Sequence, residues 1–362
     1  MTRGHLAWGF HENERYPATG PLLVPLDQGE DLVRRRAAER LRQPVLGQQL
    51  RHLGPERLFF TDFRYVEQAR GQVPDFERIE ASRDMLDGLA KRLRGRAGFD
   101  DEHLSVATHR KLTEKLPDGV ELMPAGGIVE RLRAVKDEAE VAAMSAAAEL
   151  ATAAYHSLRE GGLAGRTERE VAIELVRFME DEGAEAPSFP PIVAAGAHGA
   201  QPHAVPRDVE IPRDTLVVID MGAMVDGYCS DCTRTIATGS LADDVLEVYE
   251  LVRRAQVDAL GAAVAGAECR AVDAVARELI DAAGHEEHFG HGLGHGVGLE
   301  VHEAPRLGKT AEGSLEAGNA VTIEPGVYLP GEFGVRIEDL VIVTEGEPRI
   351  LTGFPKGLVT VD

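Results

Sequence analysis

The clearest pattern in this chain is the apolar run interrupted by a single acid. Leu216 to Ile219 is uniformly apolar, reads as a buried strand, and ends on Asp220. Within Thr215 to Ala237 the chain contains Asp226-Gly227, a strong signal for a two-residue hairpin turn. With those residues as the turn, Asp231 faces Gly222 and Asp220 faces Thr233. Alternate strand residues share a face, so Asp220 and Asp231 are expected diagonally on one face. A second hairpin follows the same plan. Val321 to Leu329 carries Glu324, a glycine-containing loop spans 330–334, and Val335 to Val343 carries Glu338. Glu324 and Glu338 are expected opposite or diagonal on one face. Carboxylates aimed together repel unless a cation or a shared proton lies between them, and burying them unpaired is costly. Four of them on two apolar hairpins call for oxygen-seeking divalent cations.

The remaining periodicity organises the chain. Leu58 to Asp62 reads as a buried strand and Pro74 to Arg94 as a helix, and short strands and helices alternate to Met123, an α/β pattern. Ala125-Gly126-Gly127 is the expected boundary, which separates a smaller α/β domain (1–126) from a larger one (127–362). A helix is expected from Ile128 to about Leu158, ended by Gly161-Gly162. The second half reads as two copies of one plan. A helix from Glu168 to Glu182 leads to the first hairpin, and helices from Asp243 to Ala283 lead to the second. That arrangement predicts pseudo-twofold symmetry with a site between the halves. Residues 1 to 55 carry few strand signals and a run of arginines (Arg34, Arg35, Arg36, Arg40, Arg42).

Between the hairpins, His288 to Glu303 alternates glycine with other residues and holds His291, His295 and His302. So many glycines exclude a stable helix interior and permit close backbone approach to a site. The segment lacks the Gly-Lys-Ser/Thr ending of a phosphate loop. Cys229 and Cys232 have C-x-x-C spacing, but inside a strand they point to opposite faces, and no second cysteine pair completes a zinc site.

Composition narrows the function. A chain of 362 residues suggests about two domains, and 43% hydrophobic residues suffice for real cores. A formal net charge of −22 argues against phosphate-backbone binding. No run reaches the roughly 18 apolar residues that span a bilayer, and the first residues lack a signal-peptide pattern. Three cysteines, an odd number, argue against a disulfide framework and fit a reducing cytoplasm.

On VVIDMGAMVDGYCSDCTRT, HGLGHGVGLEVHE, VTIEPGVYLPGEFGVRIED and LTGFPKGL the chain resembles the pita-bread metallopeptidases, in their Xaa-Pro dipeptidase (prolidase) and Xaa-Pro aminopeptidase branch. The resemblance runs from about Leu58 to the end. It implies a creatinase/aminopeptidase-like catalytic domain with pseudo-twofold symmetry behind a smaller α/β N-terminal domain, a cytoplasmic location and a homodimer. Carried over, Asp220 chelates one metal, His295 and Glu324 bind the other, and Asp231 and Glu338 bridge. His203, His291, His302 and Arg336 fall on the substrate side. Mn(II) suits this carboxylate-rich set, with Co(II), Fe(II) or Zn(II) as alternatives. Two ions about 3.5 to 4 Å apart would acidify a shared water and polarise the scissile carbonyl. Glu324 would pass the proton to the leaving nitrogen, and His291 and His302 would hold the carbonyl oxygen. Peptides with proline second are the implied substrates. Methionine-aminopeptidase-like action, a metal-free creatinase-like enzyme and a non-catalytic pita-bread binding protein are the rivals. The resemblance fails at residues 1–55, which lack the family's opening helix and strand.

Overall fold

The computed structural model describes residues 22–25, 50–53, 57–80 and 84–361, with the backbone alone up to Arg57. The arginine run at 34–42 lies outside the described residues. The chain divides into two compact units, Met1–Leu132 and Arg133–Asp362. The glycine pair expected to mark the boundary therefore falls within the first unit, a few residues before the division.

The first unit contains β1 (Leu22–Pro25), β2 (Leu50–Leu53), β3 (Arg57–Thr61), α1 (Val66–Gln72), β4 (Glu77–Glu80), α2 (Met85–Ala90), β5 (Arg96–Phe99), α3 (Val106–Thr113) and β6 (Glu121–Pro124), with α4 (Ile128–Ala134) crossing the division. Its sheet runs β4-β3-β2-β1-β5-β6. Two expectations change here. Strands β1 and β2 lie in the stretch that carried few strand signals, paired to each other, to β5 and to β3. The helix expected over Pro74 to Arg94 is instead strand β4 followed by the short α2. Glu77 to Glu80 pairs in parallel with β3, whose Leu58, Phe59 and Phe60 are fully buried, and α2 begins only where Asp84 accepts the Asp87 N–H. Sheet hydrogen bonds to a buried neighbour outweigh a short helical spacing.

The second unit contains α5 (Glu138–Gly161), α6 (Glu168–Asp181), β7 (Ala186–Pro187), β8 (Ile192–Ala195), β9 (Leu216–Met221), β10 (Ala223–Val225), β11 (Tyr228–Cys229), β12 (Cys232–Ala237), α7 (Asp243–Ala262), α8 (Cys269–Ala282), β13 (Gly294–Gly296), β14 (Glu303–Leu307), β15 (Ala320–Ile323), β16 (Gly326–Leu329), β17 (Phe333–Arg336), β18 (Asp339–Ile342) and β19 (Arg349–Ile350). The single helix expected from Ile128 to about Leu158 is broken into α4 and α5. Asp137 caps α5 by accepting the Ala139 and Glu140 N–H groups, while the Glu140 carboxylate takes the Asp137 N–H. This capping box starts a new helix, and the Lys136 N–H turns to Gly318 O instead of to α4.

The two halves of this unit each have a core. Ala147, Tyr155 and Leu158 of α5, with Val171 and Leu175 of α6, pack on Val217, Ile219 and Ile236 of the first hairpin. Val252 and Ala259 of α7, with Val272 and Ile280 of α8, pack on Val321, Ile323, Val335 and Val341 of the second. The first hairpin has the expected register, with Asp220 opposite Thr233 and Val225 opposite Tyr228. Its turn residues Asp226 and Gly227 have φ of 50° and 76°, the left-handed pair that such a turn requires. Each hairpin changes sheet halfway. β9 and β12 pair with each other and join β8 through β9, whereas β10 and β11 pair with each other and join β7 through β10; β15 and β18 join a five-stranded sheet, whereas β16 and β17 form a separate ribbon. The breaks fall at Gly222, Ser230-Asp231, Glu324-Pro325 and Ile337-Glu338. Three of the four acids therefore sit where the chain leaves one ladder for another.

Candidate metal centre

The five residues singled out by sequence converge in the second unit. Ligand atoms of Asp231, His295 and Glu338 all lie within 4.8 Å of one another. His295 Nε2 is 3.2 Å from Glu324 Oε1 and 3.6 Å from Asp231 Oδ2. The hairpins are tied together by Thr233, whose hydroxyl donates to Glu338 Oε2 at 2.8 Å and accepts from Arg336 Nε at 3.0 Å. Arg336 Nη2 in turn donates to Asp220 Oδ2 at 2.8 Å. Asp220, Asp231, His295 and Glu338 are all buried, with Glu338 only 1% exposed.

Whether these side chains fit a cation can be asked of their unsatisfied atoms. Asp220 Oδ1, Asp231 Oδ1 and Glu338 Oε1 are buried without a hydrogen-bond partner. One such acceptor costs about 1–3 kcal/mol, and more when charged, so three at one place call for a cation or a proton between them. Burial, then the charges of Glu338, Asp220 and Glu324, push the Asp231 carboxyl well above the ordinary range. Burial, then Glu324 and Asp220, do the same to Glu338. Burial also raises Asp220, although the Arg336 charge opposes it. At Glu324 burial is outweighed by the hydrogen bond and charge of His295, and its pKa falls to about 2. His295 Nδ1 lies 3.0 Å from the Gly296 carbonyl, which fixes a proton there and leaves Nε2 to face the acids. Four carboxylates and one imidazole nitrogen are a donor set suited to first-row divalent cations. The residues fit.

The glycines of the histidine segment have a packing reason. A Cβ on Gly294 would stand 2.0 Å from Thr322 O, so β13 can lie against β15 only without a side chain there. His291 Nε2 is 2.9 Å from the Tyr328 hydroxyl, which also receives Arg336 Nη1 at 2.9 Å. Asp220, Arg336, Tyr328 and His291 thus form one continuous chain of contacts. His302 sits ring to ring with His295 at 4.4 Å, and partial burial with the His295 charge lowers its pKa to about 4. His203 is exposed, near enough for its charge to depress His291 and His302. Arg336, expected to touch substrate, commits its guanidinium to Asp220, Thr233, Tyr328 and the Pro202 carbonyl.

Sequence reading overlooked the Thr233 and Tyr328 hydroxyls. The Thr233 signal was available, since the register placed it opposite Asp220. Tyr328 shares a strand parity with Glu324, but the sheet break between them hides the relation. Cys229 and Cys232 are buried free thiols, and burial pushes Cys229 up to about 12. Asp100, His103 and Glu130 in the first unit also bring ligand atoms within 4.8 Å. Hydrogen bonds account for the Asp100–His103 part of that grouping: Asp100 Oδ1 accepts the Glu102 and His103 N–H groups, and the His103 ring lies 3.1 Å from both its oxygens, whereas Glu130 Oε1 is buried without a hydrogen-bond partner.

A buried acid and histidine cluster across two helix-backed hairpins defines a metal-dependent hydrolase, and comparison with known proteins agrees. Residues 142–345, more than half of the chain, match metallopeptidase family M24, and residues 47–135 match the Creatinase/Prolidase N-terminal domain. The chain belongs to family M24, and its second unit has the pita-bread fold. It is similar to the Xaa-Pro dipeptidase of Pyrococcus furiosus, 44% identical over 64% of this chain and 67% of that protein. Among solved structures it resembles an Xaa-Pro dipeptidase from Bacillus anthracis, with a TM-score of 0.85, 36% identity and coverage of 94% and 95% of the two chains. It also resembles the X-Pro aminopeptidase from Thermotoga maritima, with a TM-score of 0.82, 34% identity and coverage of 94% and 97%. This chain is a metallopeptidase. No helix among the described residues is long and apolar enough to cross a membrane.

Proposed function

We propose that the protein cleaves the peptide bond between an N-terminal residue and proline, using two divalent cations held by Asp220, Asp231, His295, Glu324 and Glu338. The observation that carries this reading is the trio of buried, partnerless carboxylate oxygens on Asp220, Asp231 and Glu338. The names of the Pyrococcus furiosus and Bacillus anthracis proteins support the Xaa-Pro substrate class. Bound cations supply Lewis acidity at this site. The chain's own groups supply the rest. Glu324 stays ionised and partly accessible, so it can take a proton and return it to the leaving nitrogen. His302, packed on His295, is the donor toward the carbonyl oxygen, and His291, whose Nδ1 proton goes to Gly292 O, reaches that side through the Tyr328 hydroxyl at its Nε2. A proline nitrogen has no N–H to offer, so selection rests on shape and on protonating that nitrogen.

Arg336 holds Asp220 in place from behind. Arg306, exposed and directly across from His295 in the β13–β14 register, is a cation available to a dipeptide's carboxylate. That favours dipeptides, whereas the likeness to the X-Pro aminopeptidase from Thermotoga maritima supports aminopeptidase action. Mn(II) is the proposed metal, Co(II), Fe(II) and Zn(II) being alternatives. A cytoplasmic homodimer is proposed with it; the three buried free cysteines fit a reducing compartment. The test is hydrolysis of an Xaa-Pro dipeptide beside an Xaa-Pro-Yaa tripeptide, with Mn(II) and after chelation, alongside a count of bound metal. Cleavage undiminished by chelation, or no cleavage of either peptide with any of the four metals, sinks the proposal.

A further inference from the structure

Glu168 is the first residue of α6, yet it is only 1% exposed. An acid at a helix start is favoured by the free N–H groups, but that effect does not require burial. Its carboxylate gathers donors from outside the helix instead. Oε1 accepts the Ala195 N–H at 3.0 Å and Arg207 Nη2 at 3.0 Å. Oε2 accepts the Arg207 N–H and Arg207 Nε, both at 3.0 Å. His198 Nδ1 lies 3.0 Å from both oxygens. The Arg207 pair is bidentate, the geometry that makes such contacts strong.

Ala195 ends β8, and Arg207 lies at the far end of the loop that follows. One carboxylate therefore pins both ends of that loop. Backbone bonds from Glu168 N to Val209 O and from Arg169 N to Arg207 O reinforce the base. Toward its middle the loop is seated on the site. Pro202 O accepts Arg336 Nη1 at 3.2 Å, and Gly199 packs so closely on Gly334 that a Cβ there would stand 1.9 Å from Gly199 O. His203 is the next residue, exposed and near enough for its charge to act on His291 and His302.

We propose that Glu168 is a positioning residue for substrate binding, clamping the 196–207 loop so that His203 is held at the rim of the metal centre. The inference rests on the reading that His203 meets the substrate. Glu168 touches none of the five proposed ligands, so its effect is on binding and not on metal content.

The test uses the metal-loaded full chain. Glu168→Gln keeps the size and one acceptor but loses the paired fork and turns an NH2 toward N–H donors. Releasing the loop ends lowers the fraction of protein with His203 in place, so KM for an Xaa-Pro dipeptide should rise about tenfold. Turnover should stay within about twofold, and bound metal should equal wild type. In a His203→Ala background the same substitution should change KM by less than about twofold, because the residue acts through the one already removed. If Glu168→Gln does not fold, Arg207→Met removes only the half-exposed fork and should raise KM in the same selective way. An unchanged KM, loss of metal, or effects that multiply fully with His203→Ala overturn the proposal. If His203→Ala itself leaves KM unchanged, the substrate role of His203 fails and takes this inference with it. If His203→Ala raises KM and Glu168→Gln does not, only this inference fails.

Discussion

Glu303 offers the most direct check on the energetics of the second unit. It begins β14, next to His302, and is 9% exposed. Its Oε1 accepts Arg133 Nε at 3.2 Å and the Glu300 N–H at 3.1 Å, and its Oε2 accepts Lys136 Nζ at 2.9 Å. Arg133 and Lys136 are themselves buried, at 7% and 6% exposure. Glu303→Gln leaves the buried Lys136 without an anion and Arg133 with only the more exposed Glu300, 3.0 Å from its Nη2. Removing one partner of a buried pair costs about 3–5 kcal/mol, and the retained carbonyl points to the lower end. For a unit of roughly this size, about 3 kcal/mol is a fall of roughly 6–12 °C in melting temperature. Adding Lys136→Met should recover part of the loss, since it removes one uncompensated charge. The pH dependence has a definite sign. Burial would raise the Glu303 pKa, but the charges and hydrogen bonds of Lys136 and Arg133 outweigh it and hold it below normal. A depressed carboxyl stabilises fully above its unfolded value of about 4.3 and loses that contribution as pH falls through the folded value. The gap between wild type and variant should therefore be flat from about pH 7 to 5 and close on further acidification. The assay is thermal melting of chelated protein across that range. A variant melting with wild type at neutral pH, or a gap that widens in acid, refutes the argument.

Three further outcomes are expected. Asp231→Asn should fold but lose at least one metal, with Xaa-Pro hydrolysis down by several orders of magnitude; elemental analysis and kinetics check this, and full retention of both removes Asp231 from the site. His291→Ala should lower turnover while metal content stays at the wild-type level, because the ring contacts Tyr328 and no proposed ligand. Gly294→Ala should destabilise the second unit and weaken metal binding together, because the added Cβ would meet Thr322 O at 2.0 Å and must move β13, which carries His295; a normal melting curve contradicts it.

Much of the site could be read from the chain because its information is local. Asp226-Gly227 fixes a turn, the turn fixes a register, and strand parity then sets Asp220 and Asp231 on one face. The capping box of Asp137 and Glu140 was equally local, and it, not the Ala-rich run, decides where α5 starts. Strand β4 was misread as helix because four residues bear too little pattern, and its hydrogen-bond partner β3 lies well before it in sequence. What only the tertiary structure decided are the contacts between distant strands. Nothing near Thr233 says that its hydroxyl will meet Glu338, and nothing near Glu168 says that its carboxylate will close the 196–207 loop. Turn chemistry and strand parity act over a few residues, so a sequence states them outright. A buried carboxylate takes whatever donors the packed core brings to it, and which donors those are is settled only when the two hairpins meet.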